Sequence, residues 1–443
     1  MWGIVGRWMN GTLLVRGARQ LLTLRGPAGP RRGSAARELS IIEDGAVLVR
    51  EGIIQEVGPS RRLENLAEAR SARVIDASGR VVMPAFVDSH THLAFDRPAL
   101  DSFEARLVKA RGTDQGPGDT EPEPVSDQLA AVSAQRLQVR ARRIIGGMVR
   151  HGTTTVEAKS PCRVSASLQF KVLRVLKSLD RDPIDVVPTY LGPPQFASDL
   201  AQDLETRRSW LAAEHLPKMC QKGLARFADI AIPAGGRICD TSRAYLHAAQ
   251  SLGLPLKFHA EQFGPDGAAR VAVEFCSVSV DHLNYLDGEG IRLLARSDAI
   301  ATLIPGNVFH LGLDRFPPAR QLIDEGAAVA LATGFSAHDS PTYSMPLVVA
   351  MACAQLHMTP AEAIAATTIN AACALRLGHQ AGSIEPGKDA DLLLLNASDY
   401  REIPYYFGVN PVYQTIKRGE ILYEEGSISK READWPNGDL SSA

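Results

Sequence analysis

The chain opens with short runs in which every position, or every second position, is apolar. "TLLVRGARQLLTL" (12–24), "GAVLVREGIIQEVG" (45–58) and "ARVIDASGRVVMP" (72–84) lie between Gly, Pro and charged turns, a pattern that predicts strands. Between the first two, "RGPAGPRRGSAARE" (25–38) reads as a polar loop. The texture then changes. Apolar runs at "AFVDSHTH", "TTTVEAK", "IDVVPTYLG", "FADIAIP", "LPLKFHAE", "SVSVDHL", "AIATLIPG" and "VALATG" alternate with helical patterns such as "SRAYLHAAQSLG" and "GEGIRLLARS". Strands alternating with helices predict βα units and a parallel sheet, and eight units predict a (β/α)8 barrel of the TIM type. In such a barrel the side chains that do chemistry sit at the C-terminal ends of the strands.

After the barrel pattern, "TPAEAIAATTINAACAL" predicts a helix, and "GSIEPGKDADLLLLNASDYREI" and "VYQTIKRGEILYEE" return to short strands. These strands are expected to join the N-terminal ones. The expected organisation is α/β: a small composite β-sandwich from residues 1–83 and 384–443, and a barrel over residues 84–383. The stretch Ala110–Asp127, rich in Gly, Pro and acidic residues, reads as a flexible surface loop on the active-site side.

Composition narrows the partners more than the fold. A formal net charge of −2 favours neither nucleic acid nor an anionic membrane. No apolar run approaches the length of a transmembrane helix, and "MWGIVGRWMNG" lacks the core of a signal peptide; Met9 is an alternative start. The 6 cysteines are scattered and read as reduced thiols of a cytoplasmic protein.

The chemistry lies at the strand ends. His90 and His92 in "DSHTH" are two apart, so an extended backbone points both imidazoles to one face. Two neutral imidazoles on one rigid strand suit Zn²⁺ or Fe²⁺. His259 in "KFHAEQF" and His282 in "VDHL" end two further strands. Each alone reads as a structural histidine, but four on one barrel rim are what a three-histidine metal site with a catalytic histidine requires. Lys159 ends "VEAKS", where it either touches metal or substrate or pairs with Glu157. Asp281, beside His282, falls on the opposite face by strand alternation and is expected to be structural.

Together "PAFVDSHTHLAF", "HGTTTVEAKS", "KFHAEQF", "SVDHL", "LIPGNVFHLG", "MTPAEAIAATTINAACAL", "GSIEPGKDADLLLL" and "IPYYFGVN" resemble the imidazolonepropionases of the amidohydrolase superfamily, across nearly the whole chain. The resemblance implies hydrolysis of a cyclic amide, 4-imidazolone-5-propionate, to N-formimino-glutamate in histidine degradation, with one divalent metal, Zn or Fe. It implies His90, His92 and His259 as ligands, His282 at the carbonyl or in proton transfer, and Gln262 near the leaving nitrogen. It implies Arg106 and Arg97 as substrate contacts, with Lys159 beside them. A small-molecule substrate is the expected partner, and a homodimer is an allowed assembly.

The chain also departs from that pattern. The family's Asp-Phe-Asn-Pro-Gly after the eighth strand is here Gly334-Phe335-Ser336-Ala337-His338. That Asp is ligand and base, and glycine can be neither; Asp339, or His338, is the candidate substitute ligand. "LGPPQF", "KSPCRV", Ala99 and Ile232–Pro233 replace further motif residues, all in substrate-holding loops. Two alternatives stay open: a hydrolase of a different cyclic amide, or a non-catalytic binding protein with the same fold.

Overall fold

A computed structural model describes residues 11–95, 97–110, 126–162, 164–193, 203–232 and 238–426. The expected N-terminal extension, most of the acidic loop and Pro233 lie outside these residues. Ala110 ends a helix, Leu100–Ala110, and Ser126 begins another, Ser126–Ala131, so both edges of the expected loop are helical.

The first five strands are β1 (Thr12–Leu22), β2 (Ile41–Arg50), β3 (Ile53–Pro59), β4 (Arg73–Asp76) and β5 (Val81–Pro84). Eight more follow: β6 (Phe86–Asp88), β7 (Thr153–Lys159), β8 (Asp185–Gly192), β9 (Phe227–Ala231), β10 (Leu256–Ala260), β11 (Ser279–His282), β12 (Ile300–Leu303) and β13 (Ala328–Leu331). The last are β14 (Leu392–Leu395), β15 (Val412–Lys417) and β16 (Glu420–Glu424).

Strands β6 to β13 pair in chain order as one parallel sheet. Its strands are buried on both faces; all seven residues of β7 are, which is why they read as unbroken apolar and threonine runs. The sheet curls until its edges meet. Thr91 bridges Phe335 in parallel, the His92 N–H donates to the Phe335 carbonyl at 2.7 Å, and the Thr333 N–H donates to Asp88 Oδ1 at 3.1 Å. The seam therefore joins the segment carrying two candidate histidines to the strand end carrying Gly334.

The remaining strands form a mixed sheet in the order β16-β15-β14-β5-β1-β2-β3, with β4 also beside β1. Its two halves meet where β14 pairs antiparallel with β5, Leu393 opposite Met83. This sheet docks on the lower end of the barrel. Lys417 Nζ lies 2.6 Å from both Asp185 Oδ2, at the start of β8, and Asp391 Oδ2. Gly152 turns the chain into β7 at φ +88°, a left-handed conformation, and a β-carbon there would meet Leu393 Cδ1 at 2.7 Å, so both backbone and packing require glycine.

One expectation gains detail and another needs correction. The stretch 25–38 is polar in composition yet fixed in place: Arg31 is buried, its N–H donates to Asn370 Oδ1 at 2.6 Å, and its guanidinium donates to the Leu24 carbonyl at 2.9 Å. The predicted helix over 359–375 is two helices, Pro360–Thr367 and Ile369–Ala374, because Thr368 leaves helical geometry at φ −125°, ψ −95°. No described helix is long and apolar enough to cross a membrane.

Candidate functional site

Four imidazoles converge at the C-terminal mouth of the barrel. Ring centroids lie 5.3 Å apart for His90–His92, 4.6 Å for His90–His259, 5.1 Å for His90–His282 and 5.2 Å for His259–His282. Ring nitrogens of His90, His92 and His259 all lie within 4.8 Å of one another, close enough for one ion.

Carboxylates behind the rings set their orientation. His90 Nδ1 is 2.7 Å from Asp281 Oδ2, and His259 Nδ1 is 3.2 Å from Asp229 Oδ2. With Nδ1 so engaged, each ring presents Nε2 to the centre. Burial first, then the like charges of Lys159 and the neighbouring histidines, holds His90 well below the ordinary imidazole range. Burial and His259 pull His92 down to about 3. The His90 and His92 rings are therefore held neutral and have lone pairs to offer.

The layer beneath is charged and almost dry. Lys159 Nζ lies 2.8 Å from Glu157 Oε2, 2.6 Å from Asp229 Oδ2 and 3.4 Å from Asp281 Oδ2. Lys257 Nζ lies 3.1 Å from Glu157 Oε1 and donates to the Ser89 carbonyl at 3.0 Å. Burial works against the Lys159 ammonium, but Asp229, Glu157 and Asp281 outweigh it and hold its pKa raised. Three carboxylates against two lysines leave about one negative charge under the histidines. That charge offsets part of a dication's, so three neutral ligands need not leave the ion uncompensated.

His282 takes the fourth corner by a backbone device. It is buried at φ +79°, in the left-handed region, which costs a non-glycine residue about 1–2 kcal/mol. The sequence reading put Asp281 and His282 on opposite faces, which holds only for an extended chain. Here the left-handed turn brings His282 round to the side Asp281 already faces. Both ring nitrogens of His282 lack a hydrogen-bond partner, and burial keeps the ring from charging. An unpartnered buried imidazole costs stability unless something binds it.

The other expected residues divide. Gln262, just past β10, is half-buried; its Nε2 donates to Asn307 Oδ1 at 3.3 Å and its backbone carbonyl accepts from Asn284 Nδ2 at 3.0 Å. Arg106, on the helix Leu100–Ala110, reaches the rim: Nη2 is 2.9 Å from His310 Nε2 and Nη1 donates to the His338 carbonyl at 3.4 Å. Arg97 faces solvent and makes no hydrogen bond to the cluster among the described residues. Lys159 is corrected as a substrate contact: it lies under the histidines, enclosed by carboxylates, and acts on their orientation. Asp339 is not among the described groups whose ligand atoms all lie within 4.8 Å of one another.

Sequence reasoning missed Asp229, Lys257 and His310. A charge inside an apolar barrel strand, as in "FADIAIP" and "LPLKF", was the available signal for the first two. A further carboxylate group, Asp185, Asp389 and Asp391, is matched by Lys417 and Arg418 and serves the join between barrel and sheet.

Comparison with known proteins places this arrangement. Residues 81–422 match the model of the amidohydrolase family. An imidazolonepropionase of Solibacter usitatus is 38% identical over 410 residues, covering 92% of this chain and 98% of its own. That of Geobacillus thermodenitrificans is 38% identical over 420 residues, covering 94% and 99%. Among solved structures, an adenosine deaminase from Xanthomonas campestris with bound zinc superposes with a TM-score of 0.65 at 20% identity, covering 96% of this chain and 95% of its own. A triazine hydrolase variant reaches 0.69 at 16% identity, covering 96% and 98%.

Proposed function

The chain belongs to the amidohydrolase family and, within it, is a divergent imidazolonepropionase relative; from that membership we propose that it hydrolyses the C–N bond of a cyclic amide of the 4-imidazolone-5-propionate type. The observation that carries the reading is the histidine cluster: three imidazoles, two of them braced by buried aspartates, around one point at the barrel mouth.

The residues present fit a divalent ion. Neutral nitrogen donors suit Zn²⁺ or Fe²⁺, and the net negative layer beneath suits a cation. His90, His92 and His259 would hold it. When bound, the ion supplies a positive charge that polarises the ring carbonyl and acidifies a nearby water.

The chain's own groups do the rest. His282, with both nitrogens free, is placed to donate a hydrogen bond to the carbonyl oxygen as negative charge develops there. Gln262, held by Asn307, offers its amide near the leaving nitrogen. Arg106 at the rim is the candidate for a substrate carboxylate. The cytoplasm is the compartment this chemistry and the scattered thiols favour.

Gly334 supports a second reading, a non-catalytic relative that binds small molecules on the same fold. Turnover separates the two. The metal-loaded protein is expected to consume 4-imidazolone-5-propionate or a related cyclic amide, to stop with a chelator, and to recover with zinc or iron. Absence of turnover across such a panel by protein that carries its metal would favour the non-catalytic reading.

A further inference from the structure

We propose that Asp339, carried back to the barrel mouth by the turn after β13, accepts the proton of the attacking water in place of the side chain that position 334 lacks. The proposal rests on the hydrolase reading above.

Position 334 is closed to a side chain. Gly334 has φ +62°, and a β-carbon there would fall within the van der Waals envelope of Ile304 Cγ2. The slot a carboxylate would need is filled by the end of β12.

The turn brings the next carboxylate back. Ser336 pairs antiparallel with Ser340, its N–H donating to the Ser340 carbonyl at 3.0 Å. Ser336 Oγ accepts from the N–H groups of His338 at 3.2 Å and Asp339 at 3.1 Å. Ser340 Oγ donates to the Thr333 carbonyl at 2.7 Å, pinning the far side of the turn to the strand end. Asn307 Nδ2 approaches the Asp339 carbonyl at 3.5 Å and joins it to Gln262. A turn held at this many points fixes where Asp339 sits.

Elimination points to the same group. Asp88 is engaged by Thr333. Glu157, Asp229 and Asp281 are committed to Lys159, Lys257 and the backs of the histidines. Glu261 has φ +54° and spends its carboxylate on the Asp266 N–H at 2.9 Å. Asp339 is half-buried, and its carboxylate takes no hydrogen bond from any described residue. Burial raises its pKa, and His338, Arg106 and His259 oppose that rise.

The step balances simply. One O–H proton of water passes to the Asp339 carboxylate as the water oxygen bonds to the ring carbonyl carbon. The carbonyl reforms, the C–N bond breaks, and the ring nitrogen leaves with that proton.

The test compares Asp339→Asn, Asp339→Glu and Asp339→Ala with the unaltered chain, all metal-loaded, measuring kcat, KM and bound metal. Asp339→Asn is expected to lower kcat by about 10²–10⁴-fold with KM nearly unchanged. Metal per chain is expected to stay at the unaltered value, and formate is expected to restore part of the activity of Asp339→Ala. Asp339→Glu, which keeps the carboxylate, is expected between Asn and the unaltered chain. Activity of Asp339→Asn within about 3-fold of the unaltered chain would overturn the proposal alone, as would loss of metal in step with activity, which would make Asp339 a ligand. No turnover by the unaltered, metal-loaded chain would sink the hydrolase reading and this one with it.

Discussion

Replacing Gly334 by aspartate restores the carboxylate that relatives of this chain are expected to carry, and the structure predicts that the repair fails. Two costs add. A left-handed backbone at φ +62° costs a non-glycine residue about 1–2 kcal/mol, toward the lower end for Asp. The new β-carbon must also displace the Ile304 side chain, and forcing atoms into a packed core costs about 1–3 kcal/mol. The sum, about 2–5 kcal/mol, is a large part of a typical net stability. Denaturant unfolding reads it as a lower midpoint at unchanged slope. Ile304→Ala alone opens a cavity and also destabilises, by about 2–5 kcal/mol. In the double variant the aspartate enters the space the isoleucine left, so the two losses are expected to fall short of additive by about 0.5–3 kcal/mol. A Gly334→Asp chain within about 0.5 kcal/mol of the unaltered one, or strict additivity in the double variant, would refute the claim that Ile304 closes the slot.

Further outcomes follow from the same contacts. Asp281→Asn, which weakens the brace on His90 Nδ1, is expected to lower metal affinity about 10–100-fold in competition with a chelator; an unchanged affinity would remove Asp281 from the site. Arg106→Ala is expected to raise KM for a substrate bearing a carboxylate while Arg97→Ala leaves it unchanged, and the reverse order would place the substrate on the other side of the mouth. Glu362 is buried between Arg37, 2.9 Å away, and Arg320, also 2.9 Å away. Burial raises its pKa, but Arg320, the Thr359 N–H and Arg37 outweigh it and bring it down to about 2. Its folded pKa is depressed, so its stabilisation is present above about pH 4.5 and is lost as pH falls toward 2. Glu362→Gln is expected to cost about 1–3 kcal/mol at pH 7 and to flatten that acid limb.

The barrel was legible because its strands are short, apolar and regularly separated by helical patterns; the run "TTTVEAK" coincides with β7. The four histidines were legible for the same reason, since each lies at or just past a strand end and the strand ends of a barrel share one rim. What stayed hidden depends on distance in three dimensions. Asp229 braces His259 from the neighbouring strand, 30 residues earlier, and reads in sequence as one acid in an apolar run. Asp281 was misassigned because alternation assumes an extended backbone, and His282 is left-handed. The burial of Arg31 gave no signal, because composition does not show that a guanidinium can satisfy buried carbonyls. The closing of position 334 was invisible, since Ile304 and Gly334 meet only where β12 and β13 end side by side.

The claim on which the rest depends is that His90, His92 and His259 together hold one divalent ion. It is tested most directly by counting zinc and iron per chain in protein purified without added metal or affinity tag, beside His92→Ala prepared identically. The account predicts about one equivalent in the unaltered chain and little in the variant. A metal-free chain that zinc does not refill, or a variant that keeps its ion, would contradict it.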